Sequence, residues 1–208
     1  MDKGQGATVN CPDTAVCFFL NTKEIEAFLK LFNNKIEGLS NSNIIGTINT
    51  NDDQLMINAS IPYFKYENFQ LDNANIIGNG SLHKLDILGT VSTFRFSDSL
   101  SFYNAKLNVA TENDISQLKI TTNSDGQLGE AEIDATVITG NERLKLRFNP
   151  STFILNNRKW AISQDGEVIL KNNKQFVIDN LSLKQGEQEI NVFTMPSSET
   201  NSNDIHID

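Results

Sequence analysis

The stretch FNPSTFILNNRKWAISQDGEVILKNNKQFVIDNLSLKQGEQEI, residues 148–190, decides the fold class of this chain. Its short apolar segments alternate with turn pairs such as Asn156-Asn157, Asp165-Gly166 and Gln185-Gly186. Asp-Gly and Asn-rich pairs form tight hairpin turns, and short segments with a period of two residues form strands. The stretch therefore predicts a succession of strands and turns with almost nothing helical between them.

The same alternation extends back to about residue 44, and its most regular example is RLKLRF, residues 143–148. Every second residue of that segment is charged, so one side of the strand faces water and the other side is apolar. Within the earlier segments, Pro62 predicts an edge or a bulge, and Gly89 predicts a bulge or bend. The strand spacing fits a sandwich, a barrel or a long curled meander. The turns predicted at 123–127, 140–141, 165–166 and 172–173 join these strands.

One helix is predicted over residues 21–33, because Ile25, Phe28, Leu29 and Phe32 recur at helical spacing. Asn21 or Thr22 can cap its first turn.

The sequence thus predicts a poorly ordered N-terminal segment over 1–20, a β domain over 21–195, and a polar tail over 196–208. Ile205 and Ile207 of the tail could pair with a sheet edge. The N-terminus lacks a basic region followed by a long apolar stretch, so we do not expect it to be a signal peptide. If the protein works outside the cytoplasm, we expect this chain to be an internal segment.

The charge balance excludes some partners. The net charge is −9 and the pI is near 4.7. Nucleic-acid binding needs clustered Lys and Arg, and an anionic membrane surface attracts the same residues, so we expect neither partner. No apolar run is long enough to span a bilayer as a helix.

No catalytic or metal-binding constellation is evident, so we expect no enzyme, no metal and no cofactor. His83 and His206 are the only histidines, and neither has identifiable partners for a triad or a zinc site. A glycosidase would need two placed carboxylates, whereas the acidic residues here mostly alternate with apolar ones on solvated faces. Cys11 and Cys17 fit either a small disulfide loop in an oxidising compartment or two free thiols.

Two parts of the chain carry a resemblance to a known family. The first is the helix EIEAFLKLF at 24–32, followed by a passage containing Gly38 and Gly46. The second is the succession FNPSTFILN, KWAI, EVIL, FVIDNLSL and GEQEI between residues 148 and 190. From about Leu31 to Val192 the chain resembles the translocation and assembly module subunit TamB family, an AsmA-like envelope protein, in its Bacteroidetes-type form. It would correspond to an internal segment of such a protein.

The resemblance implies a fold and a role. The fold would be a long antiparallel meander curled into an open half-pipe with a hydrophobic concave face, although a sandwich-like closure would show the same alternation. The role would be phospholipid transport between the inner and outer membranes, outer-membrane protein assembly with a barrel partner, or both. The location would be the periplasm, with the parent protein anchored in the inner membrane.

The expected lipid groove consists of the same-phase apolar positions of three consecutive strands, which form one stripe when in register. These positions are Leu118, Ile120, Ile133, Ala135, Val137, Leu144, Leu146 and Phe148. The alternative function is an extracytoplasmic β-sandwich that binds glycan or protein through its loops, in which case the same stripe would be a closed core.

Overall fold

The computed structural model describes residues 11, 13–97, 100–123, 128–140, 143–163, 166–171, 175–197 and 203–208. Within these ranges the chain forms one sheet of 17 strands and one helix, α1, over Glu26–Phe32. The first nine strands are β1 (Ala15–Asn21), β2 (Ile36–Gly38), β3 (Asn43–Asn49), β4 (Gln54–Tyr66), β5 (Phe69–Gly80), β6 (Lys84–Ser97), β7 (Leu100–Glu112), β8 (Ile115–Thr122) and β9 (Leu128–Gly140). The remaining strands are β10 (Arg143–Phe148), β11 (Ser151–Leu155), β12 (Arg158–Ile162), β13 (Glu167–Lys171), β14 (Phe176–Asp179), β15 (Leu181–Gln185), β16 (Gln188–Pro196) and β17 (Asn203–Ile207).

From β3 to β9 the strands follow one another across the sheet in chain order, and all pairings of the described strands are antiparallel. β1 pairs with β3, and β3 to β9 then pair successively. Beyond β9, several strands are broken into two collinear parts. β10 and β11 both pair with β9; β13 then pairs with β10, and β12 pairs with β11. The sheet is open. The predicted all-β open meander is confirmed, and the sandwich-like alternative is wrong.

Two of the predicted hairpin turns lie within the described residues. Asn156 and Asn157 have φ values of 50° and 60°, and Gly186 has a φ of 56°. Asn and Gly tolerate this left-handed backbone better than other residues, which is why these pairs join β11 to β12 and β15 to β16. The turns predicted at 123–127, 140–141, 165–166 and 172–173 fall wholly or partly outside the described residues.

A line of irregular positions crosses the long strands. Asn73 in β5 and Asn104 in β7 have left-handed φ values of 52° and 48°. The β4–β5 ladder skips the pair Pro62 and Asn73 but keeps the same register on both sides of it, so the edge or bulge predicted at Pro62 is not found. Such positions change which side of the sheet the following side chains face. The bulge or bend predicted at Gly89 is wrong, because Gly89 keeps regular register with both neighbouring strands.

The N-terminal part differs from the prediction. Residues 15–21 form β1, which pairs along its length with β3, whereas the sequence predicts a poorly ordered segment there. The helix lies inside the predicted range but is shorter, and its N-cap residue Ile25 makes no side-chain capping bond. Thr22 caps nothing in α1. Its hydroxyl instead bonds to the Leu39 carbonyl and accepts the Ser42 N–H at 2.8 Å, which joins the ends of β1 and β3.

The two open questions at the chain ends have definite answers. Cys11 and Cys17 form a disulfide bond. Ile205 and Ile207 lie in β17, which pairs with β16, so the predicted edge pairing within the polar tail is confirmed.

Candidate functional site

Apolar residues form rows that run across the strands on one side of the sheet, which we call the apolar face. Directly opposite residues of antiparallel neighbours project from the same side of a sheet, so the register defines each row. The first row consists of Phe18, Gly46, Ile57, Gly78, Ile87, Val109, Leu118, Ala135 and Phe148. The second row consists of Leu20, Ile44, Ala59, Ile76, Gly89, Leu107, Ile120 and Ile133. Neither row contains a charged or polar side chain.

A third row continues further, from β1 to β14. It consists of Val16, Ile48, Leu55, Gly80, Leu85, Thr111, Ser116, Val137, Leu146, Val168 and Ile178. Its two polar members, Thr111 and Ser116, hydrogen bond to each other at 2.8 Å. The row therefore presents no unpaired charge and satisfies its hydroxyl groups locally.

All eight residues predicted for the lipid groove lie on the apolar face. Leu118, Ala135 and Phe148 belong to the first row, Ile120 and Ile133 to the second, and Val137 and Leu146 to the third. Leu144 lies one position beyond the third row, opposite Thr139 and Leu170. The register of β8, β9 and β10 places these residues side by side, as the alternation within each strand predicts.

Within the described residues, no second layer of protein covers the apolar face. Among the described residues, the buried apolar side chains are all alanines, and the larger ones are half-buried or exposed. The accessible surface of the chain is 14166 Å². A compact monomer of 23.2 kDa would expose about 9,700 Å². An uncovered sheet raises the exposed area in this direction, whereas a closed sandwich lowers it.

The opposite side of the central strands is mainly polar, with Met56, Ile77 and Leu88 exposed among its polar residues. The residues there include Asn58, Ser60, Asn75, Asn79, Asp86, Asn108, Gln117, Lys119 and Glu132. Lys119 and Glu132 form an ion pair on this side. The sheet is therefore amphipathic across its thickness, with charge on one side and none in the rows of the other.

An ion-pair cluster lies on the polar side of β10 and β13. The Glu167 carboxylate accepts from Lys145 Nζ at 2.7 Å and from Arg147 at 2.8 Å. Hydrogen bonds from Lys145 first, and then from Arg147, hold the pKa of Glu167 below its usual value. The cluster is typical of a solvated structural network, and it has no unpaired acid or base for proton transfer.

A groove lies on the apolar face around Gly89. It has a volume of about 270 Å³ and is lined mainly by Leu71, Ile76, Val91, Phe94, Leu107 and Ile120. A Cβ added at Gly89 would find its nearest neighbours in Leu107, the first at 3.5 Å, which is an ordinary van der Waals contact. The groove is slightly smaller than the pockets that enclose drug-sized ligands, and its lining is almost wholly apolar.

An aromatic cluster borders this groove on the far side of the irregular positions Asn73 and Asn104. Phe64, Phe69, Phe94 and Phe102 form a chain of ring contacts with centroid distances of 6.2, 5.3 and 5.7 Å. Leu71 and Ala74 line the same groove although strict alternation would place them on opposite sides. The left-handed residue Asn73 between them reverses the phase. Sequence reasoning missed this part of the site, and the signal for it was an asparagine in the middle of a strand.

In the described part of the chain, no three His, Cys, Asp or Glu side chains lie close enough to hold a metal ion. No helix there has the length and apolar character needed to cross a membrane. In comparisons with known proteins, no family model, no curated protein and no solved structure matched this chain.

Proposed function

We propose that this chain is part of a non-enzymatic scaffold of the bacterial cell envelope, whose apolar face binds phospholipid acyl chains moving between the inner and outer membranes. The observation that carries the proposal is the uncovered apolar face, with three rows that contain no charged side chain. Apolar patches of this extent on soluble domains mark sites for lipid, for a ligand or for another protein.

The shape of the groove suits an extended chain. The rows cross the strands, and neighbouring strands lie about 4.8 Å apart, so the groove over β5 to β8 spans about 14 Å. Each methylene buried there contributes about 0.8 kcal/mol to binding. A phospholipid headgroup would remain in water at the margin of the face, since the groove offers no partner for its charge.

The periplasmic location in this proposal is supported by the TamB resemblance and by the disulfide. Disulfides such as Cys11–Cys17 persist in oxidising compartments, including the bacterial periplasm. A parent protein anchored in the inner membrane and an outer-membrane barrel partner follow from the resemblance alone. A role in outer-membrane protein assembly belongs to the same scaffold and rests on the same ground.

The alternative, an adhesion or binding module, has no observation in its favour. As a closed sandwich it would cover the three rows with a second sheet. The open sheet leaves them accessible.

The test compares neighbouring residues that face opposite sides of β7. Purified chain is incubated with vesicles of phosphatidylethanolamine and phosphatidylglycerol, separated from them, and examined by native mass spectrometry for bound phospholipid. We expect binding by the unmodified chain, loss of binding in Leu107→Lys, and retention in Asn108→Lys. A lysine within the acyl-chain site would have to lose its hydration, whereas at position 108 it faces water.

Circular dichroism shows whether both variants retain their strands. Absence of phospholipid from the folded unmodified chain would contradict the proposal. Equal loss of binding in the two folded variants would contradict it as well, because binding would then not depend on the apolar face.

A further inference from the structure

A second groove lies on the polar side of the sheet, over β5 to β9, and we call it the polar-side groove. Its volume is about 470 Å³, which is typical of ligand-binding clefts and larger than that of the groove around Gly89. Two rows of opposite residues cross its floor. One row begins with Ile77 and Leu88, and the other begins with Asn79 and Asp86.

Part of this floor is apolar. Ile77 and Leu88 lie directly opposite each other on β5 and β6, and their exposed fractions are 46% and 44%. Asn108 follows Leu88 in the same row, and Asn79 and Asp86 form the next row, so polar groups border the apolar pair. An apolar surface with a few convergent polar groups around it is the usual form of a small-ligand site.

The polar groups around the apolar pair have hydrogen-bonding capacity that the protein does not use. Within the described residues, the side chains of Asn79, Asp86 and Asn108 make no hydrogen bond or ion pair. Gln117 Oε1 accepts from the Thr136 hydroxyl at 3.0 Å, which leaves the Gln117 amide NH₂ group to donate elsewhere. A carboxamide both donates and accepts, whereas a carboxylate only accepts. This set of groups matches a ligand with many hydroxyls, since each hydroxyl is a donor and an acceptor.

The charges in the polar-side groove disfavour an anionic ligand. Lys119 is the cation among the described residues that line it, and its ammonium already pairs with Glu132 and, at 4.0 Å, with Asp134. The Asp86 carboxylate has no cation beside it in the described part of the chain. Phosphate and carboxylate ligands are bound mainly by free cations, so the groove is complementary to a neutral ligand.

We propose that the polar-side groove binds a neutral saccharide chain. A pyranose ring carries hydroxyls around its rim and C–H groups on its faces, so one face covers Ile77 and Leu88 while the hydroxyls bond to Asn108 and Asp86. The strands repeat every 4.8 Å or so, which is close to the length of one sugar unit in an extended chain. Successive strands thus contact successive sugar units. The proposal does not depend on lipid binding, because the apolar face is on the other side of the sheet.

Nuclear magnetic resonance titration of the isotope-labelled chain tests the proposal, with cellotetraose and chitotetraose as neutral probes and a heparin tetrasaccharide as the anionic one. We expect saturable shifts of the side-chain NH₂ signals of Asn79, Asn108 and Gln117 with a neutral probe. The signal of Asn191, an exposed residue of β16, should not move. Asn108→Ala should weaken binding about fivefold, because one hydrogen bond is lost, and the matched control Asn191→Ala should bind as the unmodified chain does.

Three results would overturn the proposal. The first is the absence of a saturable shift with either neutral probe. The second is equal affinity in the unmodified chain and in an Asn108→Ala variant whose backbone spectrum shows an intact sheet, because binding would then not use this groove. The third is tighter binding of the heparin tetrasaccharide than of the neutral probes, because the ligand would then be recognised by its negative charge.

Discussion

Replacing Gly89 with leucine should abolish acyl-chain binding while leaving the sheet folded. Gly89 keeps regular strand pairing and lines the groove, and a Cβ added there would make its nearest contacts, with Leu107, at an ordinary distance. The leucine side chain would therefore extend into the groove and occupy the volume of three or four methylenes. Excluding them costs about 3 kcal/mol, which corresponds to about a hundredfold loss of affinity for a phospholipid.

The matched control adds the same side chain to the other side of the sheet. Ala110 is exposed on the polar side of β7, so Ala110→Leu should bind phospholipid as the unmodified chain does. Titration with a fluorescent fatty acid measures both variants. Unchanged affinity in Gly89→Leu, with its strands intact by circular dichroism, would show that acyl chains do not enter this groove.

Replacing Gly38 with alanine should destabilise the chain by about 2–4 kcal/mol, because two independent penalties coincide there. The φ of Gly38 is +90°, a backbone conformation that side chains disfavour, and an added Cβ would lie 2.4 Å from the carbonyl oxygen of Tyr63. The backbone cannot easily move away, since the N–H of Leu39 donates to the same carbonyl at 2.8 Å. Urea unfolding measures the change in the free energy of unfolding.

Gly186→Ala separates the two penalties. Gly186 also has a positive φ, 56°, but an added Cβ meets nothing within 4 Å. That variant should lose only the roughly 1 kcal/mol that a left-handed backbone costs. If both variants lose the same amount, the close approach of Gly38 to Tyr63 contributes nothing to stability.

The strands were predictable wherever polar and apolar residues alternate. The segment RLKLRF at 143–148 predicts β10, because its charged residues occupy every second position and so leave one apolar side to the strand. β1 could not be found in this way. Its sequence AVCFFLN is apolar in both phases, and only pairing with β3 fixes it as a strand. The helix was overextended because its predicted start, Asn21, belongs to β1.

The candidate site was predictable only in part, for a related reason. β8, β9 and β10 keep regular register, so counting every second residue separately within each of these strands selects one side of the sheet correctly. In β5 and β7 the same count fails at Asn73 and Asn104, whose left-handed backbones reverse the phase. The depth of the groove depends on Gly89 in its floor, and sequence spacing gave no sign of that role.

The central claim is that the apolar face binds phospholipid acyl chains, and site-specific photo-crosslinking tests it most directly. A photoreactive amino acid is placed at Leu146, on the apolar face, and separately at Arg147, the next residue, which faces the polar side. The two variants are expressed in a bacterial envelope, irradiated and examined for covalently attached phospholipid. We predict capture at position 146 and none at position 147. No capture at position 146 in a folded variant, or equal capture at both positions, would contradict the claim.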